Sequence, residues 1–440
     1  MSRLPAYIRH HLAGSGMLVA LLLLCVFFSV VTWTEQYPQD GAAAKQLAKI
    51  VMFETGKDGR VIIVVRPQTE DIVFADALEA ALKNRNVPVL EIVKGEPKDA
   101  RAALERAAAS GGLDVIACNH ATAAWLVFSD LGTDFPALKN TQVLKPRPQS
   151  WPVFLKADNL LNIANQIAVI AILAIGMTLV IITGGIDLSV GSLIALSAVV
   201  TALIVRDLCG GVEADAAGMS AAGLGGIALC GVCGVITGAF ITRLRMPPFI
   251  VTLAMMLVCS GLAYRLAENQ SVFQIPESFV WLGRGADLFG LPNAVALMLL
   301  LYGIAHVIMT QTSLGRHLYA IGGNTEAAFL SGVPVNRVIL TAYALCGLLA
   351  GLGGVVTASL LKSGSPTYGQ MYELKVIAAV VVGGTSLSGG KGTMPGTLIG
   401  AFIIAVIENG MNLTNIESNS QKIVLGLVIL GAVLVDRLRK

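Results

Sequence analysis

The feature that most limits what this chain can become is a succession of apolar runs of about membrane length, separated by short charged turns. They fall near 12–33, 160–183, 188–206, 221–242, 248–267, 292–311, 338–361, 370–384, 394–411 and 421–436. At about 1.5 Å per residue, a helix of roughly 20 residues matches the roughly 30 Å hydrocarbon core of a bilayer. Mean hydropathy is +0.73 and charged residues make up 13% of the chain, about half the fraction usual in soluble proteins. These values exclude a soluble domain on a single anchor. The expectation is a polytopic all-α membrane protein of about ten transmembrane helices. The run at 370–384 is the weakest, because Glu373 and Lys375 interrupt it; a re-entrant segment fits it as well as a span.

Charge placement orients the bundle. Arg3, Arg9, His10 and His11 precede the first run, which lacks a nearby small-residue cleavage site and is expected to stay as an uncleaved span. An even number of spans puts both termini on one side. Arg243, Arg245, Arg316, Arg337, Lys391 and the terminal Arg437, Arg439 and Lys440 then share that side, as the excess of Lys and Arg in cytoplasmic loops requires. Trp281, Phe273 and Phe279 fall in an outer loop. The net charge of +3 is too small to suggest nucleic acid as a partner.

Between Glu35 and Asp158 the chemistry changes, and 31 of the chain's 59 charged residues lie there. Strand-like Arg60–Val65, Val87–Val93 and Leu113–Cys118 alternate with helical Glu70–Asn84, Pro97–Ala109 and Ala121–Leu131, a pattern that implies a parallel sheet with helices on its faces. Pro136–Pro152 reads as a Pro-rich return to the membrane. Three domains follow: 1–34 with the first span, an extracytoplasmic α/β insert at 35–158, and a transmembrane core at 159–440 with a cytoplasmic loop at 313–337.

Ala174–Gly191 reads AIGMTLVIITGGIDLSVG. An apolar run breaks on Gly184 and Gly185, Asp187 follows, and a second run begins beyond Ser189. Lipid penalises unpaired backbone and a lone charge alike, so such a break belongs where protein or a watery cavity surrounds it. Asp187 suits two roles, a cap for the next helix or a lining of a translocation path, and placement near the inner end of its span favours a cap or inner gate. Asn165 and Gln166 in the preceding run are expected to face the bundle interior, as hydrogen-bond partners for a translocated polar molecule or for another helix. Gly234/Gly238, Gly347/Gly351 and Gly396/Gly400 are spaced as helix–helix seams.

In the loop SLGRHLYAIGGNTEAAFLSGVPVN, the stretch Asn324–Leu330 is expected to form a short helix after a Gly322–Gly323 hinge. With its capping Asn324, Glu326 and apolar Ala327, Ala328, Phe329 and Leu330, it fits either a docking helix for a cytoplasmic partner or an amphipathic interface helix. SGGKGT at Lys391 is not a phosphate loop: the pattern needs Gly at 385 and Ser or Thr at 392, where Thr385 and Gly392 stand. The seven cysteines are odd in number and scattered, and Cys230/Cys233 lacks a second ligand pair, so no disulfide framework, metal site or cofactor is expected, nor any catalytic group.

GMTLVIITGGIDLSVGSLIAL, LGRHLYAIGGNTEAAFLSGV, VVVGGTSLSGGKGTMPGTLIGAFI and VILGAVLVDRLRK closely resemble the permease subunits of bacterial ABC sugar importers, the ribose/xylose/galactose permease family. The resemblance covers the first span and nearly everything from about Phe154. It implies a multi-pass inner-membrane protein with its termini in the cytoplasm, paired with a second permease subunit as homo- or heterodimer. An ATP-hydrolysing cytoplasmic subunit supplies energy and a periplasmic sugar-binding protein delivers a monosaccharide or similar polyol. It further implies that Gly322, Gly323, Asn324, Glu326, Ala327 and Gly332 face the ATPase, and that Gly184, Gly185, Asp187 and Ser189 belong to the family's signature stretch. The insert departs from the family; it weakly resembles one lobe of a periplasmic sugar-binding protein and is expected to dock or gate rather than bind sugar. An ion-coupled transporter and a membrane-tethered sugar sensor are the alternatives, the first poor in intramembrane ionisable groups, the second lacking a cytoplasmic signalling part.

Overall fold

The computed structural model describes residues 6–288 and 290–438. It divides into two units, Trp33–Pro152 on one hand and the preceding helix with the chain from Val153 onward on the other.

The first helix, α1 (Ala6–Val31), leads to strand β1 (Trp33–Gln36). The smaller unit then runs α2 (Gly41–Thr55), β2 (Val61–Val65), α3 (Thr69–Lys83), β3 (Val89–Lys94), α4 (Pro97–Ala109), β4 (Val115–Cys118), two single turns α5 (His120–Ala123) and α6 (Leu131–Asp134), β5 (Gln142–Leu144) and β6 (Gln149–Pro152). β6 pairs antiparallel with β1, Trp33 opposite Pro152, so the two ends of the unit lie side by side. The other four strands form a parallel sheet in the order β3-β2-β4-β5. All five residues of β2 are buried, as expected of a parallel strand covered on both faces. Leu47, Val51, Phe74 and Leu78 of α2 and α3 pack on Val61, Ile63 and Val65; Leu104 of α4 packs on Ile62, Val64 and Ile116 from the other side. α4 opens on Pro97, and the Asp99 carboxylate reaches back to accept from the Glu96 N–H at 2.8 Å. Burial pushes the Cys118 thiol up to about 12, which leaves it an inert part of this core.

Two local features differ from expectation. The helix read over 121–131 breaks into short turns, the first ending at Ala123 with Trp125 extended behind it; the turns carry Phe128, Leu131, Phe135 and Leu138 into the core. The Pro-rich return contains a strand, β5, added in parallel to β4.

The larger unit continues with α7 (Ala157–Ile182), α8 (Val190–Leu208), α9 (Ala216–Arg243), α10 (Pro248–Leu266), a single turn α11 (Trp281–Arg284), α12 (Asn293–Gln311), α13 (Ser313–Gly323), α14 (Thr325–Leu330), α15 (Val335–Leu361), α16 (Tyr372–Val382), α17 (Met394–Leu413) and α18 (Ser418–Leu438). Among the described residues, seven helices (α7, α8, α9, α10, α12, α15 and α17) are long and apolar enough to cross a membrane. α16 has 11 residues, about 16 Å of helix, roughly half a hydrocarbon core.

α7 is apolar all round and buried almost without interruption from Ile167 to Ile182, as a helix with no lipid face should be. α12, α15, α16 and α17 pack around it. The outer helices instead expose Leu229, Val232, Phe249, Leu257, Leu300 and Leu430, apolar faces suited to lipid. The glycine pairs at 234/238 and 347/351 turn out to be the two sides of one seam between α9 and α15. A Cβ added at Gly351 would lie 2.8 Å from the Ile227 Cα, and one at Gly238 3.0 Å from the Leu340 Cα. Without a hydrophobic drive between helices in lipid, this backbone approach is what holds the pair.

Candidate functional site

The paired glycines end α7 by a defined device. The Gly184 N–H donates to the Ile181 carbonyl at 2.9 Å and the Gly185 N–H to the Val180 carbonyl at 3.1 Å, with Gly184 left-handed at φ +82°. This is the glycine stop that satisfies the last carbonyls of a helix. Asp187 follows, 1% exposed. Its Oδ1 accepts from the Ser189 N–H at 2.9 Å and the Ser189 hydroxyl at 2.6 Å. It therefore clamps the turn leading into α8 and leaves the first-turn amides of α8 alone. Tyr343 and Cys346 of α15 flank the carboxyl, so in this conformation Asp187 faces protein.

Asn165 is half-buried, with its amide 3.4 Å from the Gly283 carbonyl of α11. Gln166 does not turn inward as expected but is exposed, because one residue further along a helix points about 100° away.

The loop after α12 is more ordered than its sequence suggests. Thr312 caps α13, and Leu314, Leu318 and Ile321 form one apolar stripe of which Leu318 and Ile321 are fully buried. That spacing was the signal for this helix, and the glycine pair obscured it. Gly322 and Gly323 are accordingly the last turn of α13, not a free hinge. Asn324 then caps α14, its Oδ1 accepting from the Ala327 N–H at 2.9 Å, with Glu326 in the first turn where a carboxylate suits the helix dipole. Gly332, at φ +82°, stops α14 as Gly184 stops α7: its N–H donates to Phe329 and that of Val333 to Ala328. Ala328 is buried, but Gly323, Asn324, Glu326 and Ala327 are exposed, and so are Phe329 (68%) and Leu330 (78%).

These two places meet. A Cβ on Gly322 would collide with the Ile182 carbonyl at the end of α7 and with the Gly390 backbone. The Gly390 N–H donates to that same Ile182 carbonyl at 2.9 Å, and the Tyr319 hydroxyl of α13 donates to the Gly392 carbonyl at 2.7 Å. Three glycine-rich stretches far apart in sequence, 183–185, 322–323 and 389–392, thus form one junction. The SGGKGT turn, excluded above as a phosphate loop, is the piece that fastens it. Backbone packed on backbone leaves little room to yield.

Lys375 of α16 pairs with Glu408 of α17 at 2.8 Å and lies 5.7 Å from the Tyr372 ring.

Residues 159–433 match the family model described as branched-chain amino acid transport system / permease component. The chain is 46% identical over 289 residues to the ribose import permease protein RbsC of Escherichia coli (strain K12), covering 65% of this chain and 87% of that protein. It is 37% identical over 289 residues to the L-arabinose transport system permease protein AraH of the same organism, covering 66% and 85%. It is 35% identical over 285 residues to that organism's D-allose transport system permease protein AlsC, covering 65% and 85%. No solved structure matches the chain.

Proposed function

The chain belongs to the permease family described as branched-chain amino acid transport system / permease component, and on that premise we propose how its glycine junction serves transport. It is the membrane permease subunit of an ABC-type sugar importer, a multi-pass inner-membrane protein and not an enzyme. Importers of this kind work with an ATP-hydrolysing subunit and a binding protein.

In our proposal the hairpin of α13 and α14 lies on the cytoplasmic side with Arg243, Arg316, Arg337 and Lys391, in line with the positive-inside rule. Its exposed Phe329 and Leu330, with Glu326 beside them, seat the ATPase. Gly322 presses α13 against the last carbonyl of α7, and that contact is the single observation that carries the coupling role. Gly184, Gly185, Asp187 and Ser189 act as the inner gate moved through it. Asn165 belongs to the path further out. α1, α16 and α18 complete ten passes, α16 with the irregular segment before it counting as one. A second permease subunit closes the pore. The α/β unit is periplasmic and serves as a dock or gate for the sugar-binding protein.

An ion-coupled transporter would need free ionisable groups along its path; the pairing of Lys375 with Glu408 and the clamping of Asp187 by Ser189 leave few. A sensor would need a cytoplasmic output that α13 and α14 are too small to provide. In vesicles containing the assembled importer, uptake of radiolabelled ribose, arabinose or allose is expected only with the ATPase and ATP present. Uptake that continues after the ATPase is omitted contradicts the proposal.

A further inference from the structure

Between α15 and α16 the chain runs without a helix beside α8, which is long and apolar enough to cross a membrane. Gly364 pairs with Val272 through two backbone hydrogen bonds, and a Cβ on it would lie 2.5 Å from the Ala198 carbonyl of α8. Gly369 lies against Gly191 in the first turn of α8, and a Cβ on Gly191 would sit 2.5 Å from both the Gly369 carbonyl and a Glu373 carboxylate oxygen. The segment 364–369 therefore follows the N-terminal half of α8, a span-length helix, with one edge fused to it. The other edge is open: Thr367 and Gln370 are exposed. Gln370 directs its amide toward the Tyr264 hydroxyl of α10 at 3.4 Å, and Thr367 lies 3.0 Å from the Ser365 hydroxyl.

Lipid does not accept this edge. Irregular backbone at membrane depth is found only buried in protein or beside water, and an uncompensated amide or hydroxyl in hydrocarbon costs several kcal/mol. An exposed strip that is both irregular and polar thus belongs to an aqueous route. Its chemistry narrows the cargo. An amide and a hydroxyl each donate and accept, as vicinal sugar hydroxyls require, and a tyrosine ring offers an apolar face to the C–H side of a sugar.

We propose that Thr367 and Gln370, with Tyr264, line the translocation path alongside α8 and take the hydroxyls of the passing sugar. The proposal rests on the permease function above and gives it a specificity-determining strip.

The test uses the complete importer in vesicles, with the half-buried Cys25 and Cys209 replaced by Ser. Thr367→Cys and Gln370→Cys are treated with a charged, membrane-impermeant methanethiosulfonate, and Leu257→Cys and Leu300→Cys on exposed apolar faces serve as lipid-facing controls. The reagent reacts with thiolate, which lipid does not support. Labelling of 367 and 370 is expected to be at least about tenfold faster than of the controls, and to block uptake of radiolabelled ribose. Labelling no faster than the controls, in variants that still import ribose with ATP, overturns the pore-lining assignment while leaving the permease function standing; uptake independent of the ATPase overturns that function instead. Gln370→Leu, close to glutamine in size, is expected to lower ribose uptake about tenfold through loss of hydrogen bonds while the ATPase activity of the complex persists. Uptake at the unsubstituted level overturns the assignment of Gln370.

Discussion

Asp187 is held by what it accepts, and this decides which substitutions it tolerates. Asn at 187 keeps an oxygen for the Ser189 N–H and hydroxyl, whereas Ala leaves that amide buried and unpaired. Asp187→Ala is expected to destabilise the larger unit by about 1–3 kcal/mol and Asp187→Asn by clearly less, read as thermal unfolding of the detergent-purified protein. Equal losses for the two variants would show that the carboxylate's charge, not its role as acceptor, matters there. At this scale the sequence is informative about kind and poor about company. Gly184 and Gly185 announce a helix stop from composition alone, and the stop has the expected backbone bonds. Tyr343 and Cys346, the neighbours that make Asp187 a packed residue, lie more than 150 positions away and no local pattern points to them. Gln166 failed for the opposite reason: polarity in an apolar run suggested an inward face, yet it lies on an uncovered side of α7.

Elements were legible where periodicity or turn chemistry was undisturbed. α14 announced itself through Asn324 and Glu326. α13 did not, because the glycine pair at its end suggested a hinge, although Leu314, Leu318 and Ile321 repeat at helical spacing. The role of Gly322 is tertiary and therefore invisible in one dimension: its missing side chain is the space occupied by the Ile182 carbonyl. Gly322→Val is expected to separate α13 from α7, so that transport falls at least about tenfold while Gly323→Ala, whose Cβ meets nothing within 4 Å, keeps most of it. Similar transport by both variants, at similar levels of folded protein, would contradict a close-packed junction. In the α/β unit, β5 escaped notice because three residues among prolines carry no alternation to detect.

At the scale of the molecule, hydropathy located every long helix of the larger unit to within a few residues, since the bilayer requires each pass to be continuous and apolar. The segment at 370–384 was ambiguous for a physical reason: α16 is half a span, and a polar, non-helical stretch precedes it. Pairing of β1 with β6 brings Trp33 and Pro152 together, so the α/β unit is inserted at adjacent ends. Replacing residues 37–148 by a short Gly-Ser linker is accordingly expected to leave the membrane unit folded and ATPase-binding, and to reduce delivery of sugar by the binding protein. Loss of the folded membrane unit, seen in size-exclusion chromatography, would contradict that independence.

The proposed coupling of ATP hydrolysis to an inner gate through α13 and α14 is tested most directly by the number of sugar molecules imported per ATP hydrolysed in vesicles. Phe329→Ser with Leu330→Ser alters two exposed side chains and spares the glycine junction, so the fold is not at risk. The ratio is expected to fall at least about tenfold, the loss of roughly 1.4 kcal/mol or more of coupling, with the permease still folded and any residual ATP hydrolysis unproductive. A ratio equal to that of the unsubstituted importer would contradict the hairpin as the transmitting element.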